Sequence, residues 1–431
     1  MIDRNYNRTI DNLLGSFAAA FSILVALTLN FKMNGTLVAL LTLGISIVSF
    51  CFLKKIRVTI YDACLFCALM LSLLHRNEEY ALFNGVYVLL AWMAFYLVRT
   101  RRKLYTVMRV IAIFSLVNAF VNVINIISPS AYFKLIGILL KPEAVESAQY
   151  YYRNNGFLSG LSDHYSRNAY WCIAGGSVFA AVFFAKEKHR KLSLVALIAE
   201  LLLIMVIGKR GHLIFFAMAL LFTYLVMEPN LPKRISRILK IILVVGILGA
   251  VILEMVPAVS FVFERFAQQI AGGDISTGRF ELWSKAWNLF KEKPLFGWGY
   301  GYFSTHTMNT TLNVMFAGVH NDYLQWLCEL GVVGFAFNFI AIVGIFLFTL
   351  KLLNYTVRHY KNHTQYKLML SWSVLFQTFV ILYSLTGLPH YDFEVNYIYY
   401  ISMSVPFMVY STGDFSGVKM RRIALKWHMI K

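Results

Sequence analysis

Arginines and a histidine in the second half of this chain have the types and placement to act together on a phosphorylated substrate. Arg210 sits in the turn Gly208-Lys209-Arg210-Gly211-His212, Arg265 in Glu264-Arg265-Phe266, and Arg279 in Gly278-Arg279-Phe280. His320 opens a helical pattern that runs Asn321-Asp322-Tyr323-Leu324-Gln325-Trp326. Arginine is permanently charged and grips phosphate oxygens with a planar fork. Histidine can take a proton from a hydroxyl near neutral pH. Together they suit attack by a sugar hydroxyl on a carbon that bears a pyrophosphate leaving group, the arginines neutralising the charge that develops on it. The sequence offers no cluster of acidic ligands for a metal, so neither metal nor cofactor is expected. Two plainer roles stay open: Arg210 as a headgroup anchor, and His320 as a structural hydrogen-bonder.

The elements that must position these residues lie in a membrane. Hydrophobic residues make up 59% of the 431, and charged residues only 14%. A soluble domain needs more polar surface than that. Apolar runs long enough to cross about 30 Å of hydrocarbon as helices recur along nearly the whole chain. Lipid obliges the backbone to satisfy its own hydrogen bonds, which favours helices over alternating barrel strands here. The expected fold is therefore an all-α integral membrane protein with about twelve transmembrane helices, residues 1–431 forming one polytopic domain. The spans are placed at 13–31, 35–53, 58–74, 80–98, 105–127, 169–185, 192–207, 213–227, 238–256, 331–353, 368–385 and 397–410. The first is read as an uncleaved span, because no small-residue cleavage site follows it.

Charge fixes the orientation. With the N-terminus in the cytoplasm, 26 of the 40 basic residues fall in short inner segments, including Arg101-Arg102-Lys103 and Lys186 to Lys191. That positive-inside bias places both termini in the cytoplasm. It also explains most of the net charge of +19 without nucleic acid. Two long segments then face outward, 128–168 and 257–330, the second between spans 9 and 10. Long segments of this kind usually carry function. In the second, Trp283, Trp287 and Phe290 share one helical stripe with lysines opposite, as in a helix lying at the interface. The first is rich in tyrosine and carries Arg153 and Arg167, which suit either an acidic glycan or simple anchoring.

The stretch Gly278-Arg279, Trp283, Ala286, Pro294, Gly297-x-Gly299-x-Gly301-x-Phe303, His320-Asn321-x-Tyr323-Leu324 and Glu329-x-Gly331-x-x-Gly334 resembles the signature of the O-antigen ligase and polymerase superfamily. The turn around Arg210 resembles that family's arginine turn, with Lys209 where serine is more common. The resemblance implies a metal-independent, inverting glycosyltransferase in the cytoplasmic (inner or plasma) membrane, with its active site on the outer face. Its donor would be an oligosaccharide on undecaprenyl pyrophosphate and its acceptor a glycan or a lipid, and it allows a partner that regulates chain length. By position, Arg210, Arg279 and Arg265 correspond to pyrophosphate-binding arginines and His320 to the catalytic base. Tyr323, Arg153 and Arg167 are candidate glycan contacts.

The first outer segment looks more like that of repeat-unit polymerases for capsule, exopolysaccharide or O-antigen. A ligase that transfers finished glycan to lipid A–core or protein shares the same motif. A flippase for the same lipid-linked sugar is the rival from another class. A flippase should hold its charges inside the bundle, whereas here they concentrate at the outer loop ends, although Asp62, Arg109 and Glu200 lie within apolar runs.

Overall fold

The computed structural model describes residues 59–77, 100–230, 232–240, 278–309, 318–360 and 363–412, with isolated positions elsewhere. The described helices used below are α1 (Ile60–Leu74), α2 (Arg101–Ile127), α3 (Pro129–Leu139), α4 (Pro142–Asn155), α5 (Tyr165–Phe184), α6 (Arg190–Ile207) and α7 (Arg210–Val226). They continue as α8 (Arg279–Glu292), α9 (Tyr302–His306), α10 (Asp322–His359), α11 (Thr364–Tyr383) and α12 (Phe393–Thr412). One two-residue hairpin, Met308–Asn309 with Val314–Met315, is the only sheet among the described residues. Three helices, α2, α10 and α11, are long and apolar enough to cross a membrane. The expected spans at 169–185, 192–207, 213–227 and 397–410 also coincide with helices. Those at 13–31, 35–53, 80–98 and 238–256 lie wholly or mostly outside the described residues, as does Arg265.

Helix α11 is the staff of the bundle: it packs on α5, α7, α10 and α12, and nearly every residue from Leu368 to Val380 is buried. Around it α5 packs on α2 and α6, and α10 packs on α1 and α8. The outer helices turn apolar side chains outward. Ile113 and Phe120 on α2 are 63% and 65% exposed, and Leu192 and Val195 on α6 are 69% and 63% exposed. Lipid rather than water is the solvent that suits such faces. The opposite face of α2 is polar: Ser115, Asn118, Asn122 and Asn125 are all buried.

Segment 128–168 is structured. Helices α3 and α4 each begin with proline at the first turn, where the missing N–H is harmless, and α4 ends on Gly156 in the left-handed conformation. The following turn is held by three asparagines. Asn118 and Asn122 both donate to Asn168 Oδ1, at 2.8 and 3.0 Å, and Asn168 Nδ2 returns bonds to Asn122 Oδ1 and the Leu158 carbonyl. Leu161 N–H donates to Asn118 Oδ1 and Tyr132 Oη donates to the Gly160 carbonyl. A fully satisfied buried network of this kind fixes one geometry, and the start of α5 is thereby set.

Helix α10 is broken at Gly331, whose φ of 63° and ψ of −169° lie outside the helical region. The break is filled by backbone from residues 294–299. The Cys328 and Glu329 carbonyls accept from Trp298 N–H (3.0 Å) and Gly299 N–H (2.8 Å), while Val332 and Val333 N–H donate to the Pro294 and Leu295 carbonyls. Each group orphaned by the break thus finds a partner in the inserted segment, as a helix interrupted near lipid requires. A Cβ on Gly331 would lie 2.2 Å from the Leu295 carbonyl oxygen, and one on Gly297 would lie 2.4 Å from the Glu329 carbonyl carbon. Both glycines are demanded by the close backbone approach.

Candidate functional site

His320 precedes the N-cap of α10 and has φ of 55°, in the left-handed region that a non-glycine residue rarely adopts. Its neighbours hold it there. Asn321 caps α10 by accepting from Leu324 N–H at 3.1 Å, and Val319 N–H donates to Gln325 Oε1 at 3.0 Å. Asp322 accepts from Ser384 Oγ at 2.8 Å and from His390 N–H, while its own N–H bonds to the Ser384 carbonyl. A backbone outlier this well determined by its surroundings is an indication of function. The side chain is exposed, yet it stands among crowded protein groups, and desolvation by them, then the positive charges of Arg279 and Lys209, pull the imidazole down to about 4. His320 is therefore neutral at physiological pH and can accept a proton.

Glu329, in the same motif, does different work. Fully buried, it accepts from Gly301 N–H (2.9 Å), Phe303 N–H (3.1 Å), Tyr391 Oη (2.7 Å) and Gln325 Nε2 (3.2 Å). It clamps the glycine turn to α10, and all its hydrogen-bonding capacity is used in doing so.

Arg279 is the first residue of α8 and is half-buried. On α8, Leu282 and Ala286 are buried with Phe303, Val319 and Cys328, which seats the helix on α10. The aromatic stripe expected from the sequence is split by this packing. Trp283 joins the inner cluster, whereas Trp287 is 47% exposed and pairs with Phe290 at a centroid distance of 5.2 Å.

Lys209 lies in the turn between α6 and α7, with its ammonium 4.2 Å above the ring of Tyr165. Tyr165 is stacked between Phe157 (4.3 Å) and His164 (4.4 Å), so segment 128–168 walls this side of the site. Burial and the nearby Arg279 guanidinium draw Lys209 down to about 7. His164 is lowered to about 3 by burial and then by Lys209, and its Nδ1 accepts from Ser166 N–H at 3.0 Å. Beneath lie buried His212 and Tyr383, with ring centroids 4.4 Å apart.

The outcome is a cationic recess bounded by the first residues of four helices: Tyr165 on α5, Lys209 before α7, Arg279 on α8, and His320 before α10. Helix N-termini carry partial positive charge and free N–H groups, which suit an anion. Arg210 is the first residue of α7, half-buried and engaged with its surroundings. The other sequence candidates fall elsewhere. Arg153 is exposed at the end of α4. Arg167 is held by three carboxylates, contacting Asp163, Asp392 at 3.2 Å and Glu394 at 3.2 Å. Tyr323 donates to the Ile381 carbonyl at 2.9 Å, so its hydroxyl serves packing of α10 on α11. Lys209, His164 and Tyr165 were not singled out by sequence as site residues. A lysine in a turn that the charge pattern assigns to the outer side is the one sequence signal for that group. Among the described residues no group of three or more His, Cys, Asp or Glu side chains could hold a metal.

Residues 194–339 match the family model described as O-antigen ligase, a family of glycosyltransferase-like enzymes. The match places this segment in the O-antigen ligase and polymerase superfamily, as the resemblance implied. It takes in the turn before α7, Arg279, the glycine turn, His320 and the break in α10. No curated protein matches the chain.

Proposed function

We propose, with an O-antigen ligase domain as premise, that this chain is a membrane glycosyltransferase that polymerises lipid-linked polysaccharide repeat units. The observation that carries the proposal is the recess itself, in which a neutral histidine stands beside the cations Arg279 and Lys209 among helix N-termini. The donor's pyrophosphate, carried on undecaprenol, occupies the cationic side. An acceptor hydroxyl oxygen attacks the anomeric carbon from the opposite face. The new C–O bond forms as the bond from that carbon to the phosphate oxygen breaks, inverting the configuration. The hydroxyl proton passes to His320 Nε2 or Nδ1, and the departing pyrophosphate keeps the electron pair, held by Arg279, Lys209 and the Arg210 turn. No metal takes part. The twelve-span topology, with the recess on the outer face of the cytoplasmic membrane, belongs to the same proposal.

The walling of the recess by segment 128–168 favours polymerase over ligase, since this tyrosine-rich segment is the part that looks like repeat-unit polymerases. The test is transfer by purified protein with one lipid-linked repeat unit as sole substrate. A ladder of longer glycans, lost in His320→Ala, is expected. Product formed only when lipid A–core or a protein acceptor is added makes the chain a ligase. Silence in both, with sound folding and authentic donor, returns the flippase.

A further inference from the structure

At the end of the bundle opposite the recess lies a cavity of about 570 Å³, lined by Arg102, Tyr105, Thr106, Arg109, Glu187 and Gln365. The helices establish its place: α5 leaves the recess at Tyr165 and ends at Phe184, just before Glu187, and α11 begins at Thr364, beside Gln365, and reaches the recess at Tyr383. Arg102, Tyr105, Thr106 and Arg109 follow the i, i+3, i+4, i+7 spacing of one face of α2. Both arginines are exposed, and neither guanidinium has an ion pair or hydrogen bond with another described residue. Glu187 Oε1 is buried without a hydrogen-bond partner.

Depth matters here. A span needs about 20 apolar residues, and counting back from Ile127 brings the hydrocarbon edge close to Met108. The stretch from Arg102 to Arg109 therefore stands at headgroup level, with Arg109 at the boundary of the apolar run. Ionisable residues at such a position are costly unless something pairs with them. Here two fixed cations and one carboxylate leave the lining one positive charge in excess, which a single phosphodiester anion would neutralise.

We infer that this cavity binds the headgroup of an anionic phospholipid, its phosphate between Arg102 and Arg109 and a headgroup hydroxyl donating to Glu187 Oε1. The site is independent of the transfer chemistry proposed above. Basic pockets between spans at a membrane surface favour lipids of this class. The test uses full-length protein, delipidated in detergent, titrated with phosphatidylglycerol or phosphatidylcholine, and read by native mass spectrometry. Wild type should retain phosphatidylglycerol in preference. The double variant Arg102→Gln with Arg109→Gln should lose about fivefold in affinity per arginine, and the matching double lysine variant should keep most of it. Equal retention of both lipids by wild type overturns the inference, whatever the variants do. So does unchanged binding in a glutamine variant that melts like wild type. Inorganic phosphate that displaces the lipid and protects the protein equally well identifies a soluble anion instead, and also overturns it.

Discussion

His320 shows how position, rather than residue type, makes a base. Desolvation by the groups crowded around it and two neighbouring cations hold its imidazole at about 4, so the neutral, proton-accepting form predominates above that pH. The acid limb of kcat/KM should therefore lie well below the ordinary histidine range of about 6.5. A bound pyrophosphate adds negative charge and raises the imidazole, so the acid limb of kcat should lie at higher pH than that of kcat/KM. Lys209→Ala removes a cation, and the kcat/KM limb should move upward while transfer weakens about tenfold or more through loss of a charged contact. Identical pH profiles in variant and wild type would show that Lys209 does not face His320. The sequence displayed His320 and Arg279 because each stands in a dense motif. It hid Lys209, whose importance comes from Tyr165 and Arg279, 44 positions before it and 70 after. Arg167 is the converse case: its charge is plain in the sequence, but two of the three carboxylates that pair with it lie more than 220 residues further along the chain.

At the scale of elements, the pairing of broken α10 with residues 294–299 converts a string of motif glycines into one device. The sequence shows a helical pattern from His320 leading into an apolar span from residue 331, and the structure joins the two as α10 but interrupts it where the span was to begin. Hydropathy does not register a break whose hydrogen bonds are all recovered by another segment. Gly331→Ala should cost about 3 kcal/mol or more, since the added carbon meets backbone rather than a movable side chain. Thermal unfolding in detergent would report it, and transfer should fall although no residue of the recess has changed. A variant with the stability and activity of wild type would mean that residues 294–299 do not occupy the break. The tyrosines of 128–168 were legible as aromatic, but the asparagine clamp that shapes them was not. Asn118 and Asn122 sit inside an apolar run and look there like ordinary interruptions.

For the whole molecule, charge asymmetry predicts an orientation, and the structure has two distinct ends against which it can be tested. The cationic recess lies at one end of α5 and α11, and the cavity of Arg102 and Arg109 lies at the other. Tyr150→Cys, at a site 62% exposed on α4, should react with an impermeant maleimide added outside intact cells. Lys188→Cys, exposed beyond the end of α5, should react only after the membrane is opened. Labelling of the two positions from the same side would invert or break the proposed topology. Membrane character was legible throughout because hydropathy is additive along the chain. The gathering of four helix starts around one recess was not, because it depends on which helices become neighbours, and α11, which joins them, carries none of the reacting groups.

The lysine over Tyr165 has one further consequence. Held at about 7 when the recess is empty, its amine is only partly charged there. If the pyrophosphate donor proposed above binds there, it stabilises the ammonium, so the protein would take a proton from the medium as the donor binds and return it when the pyrophosphate leaves. The full positive charge is thus summoned by the ligand and is not displayed in advance. An empty recess attracts stray acidic headgroups less strongly than a permanently charged one, and selectivity arises in the order of events as much as in shape.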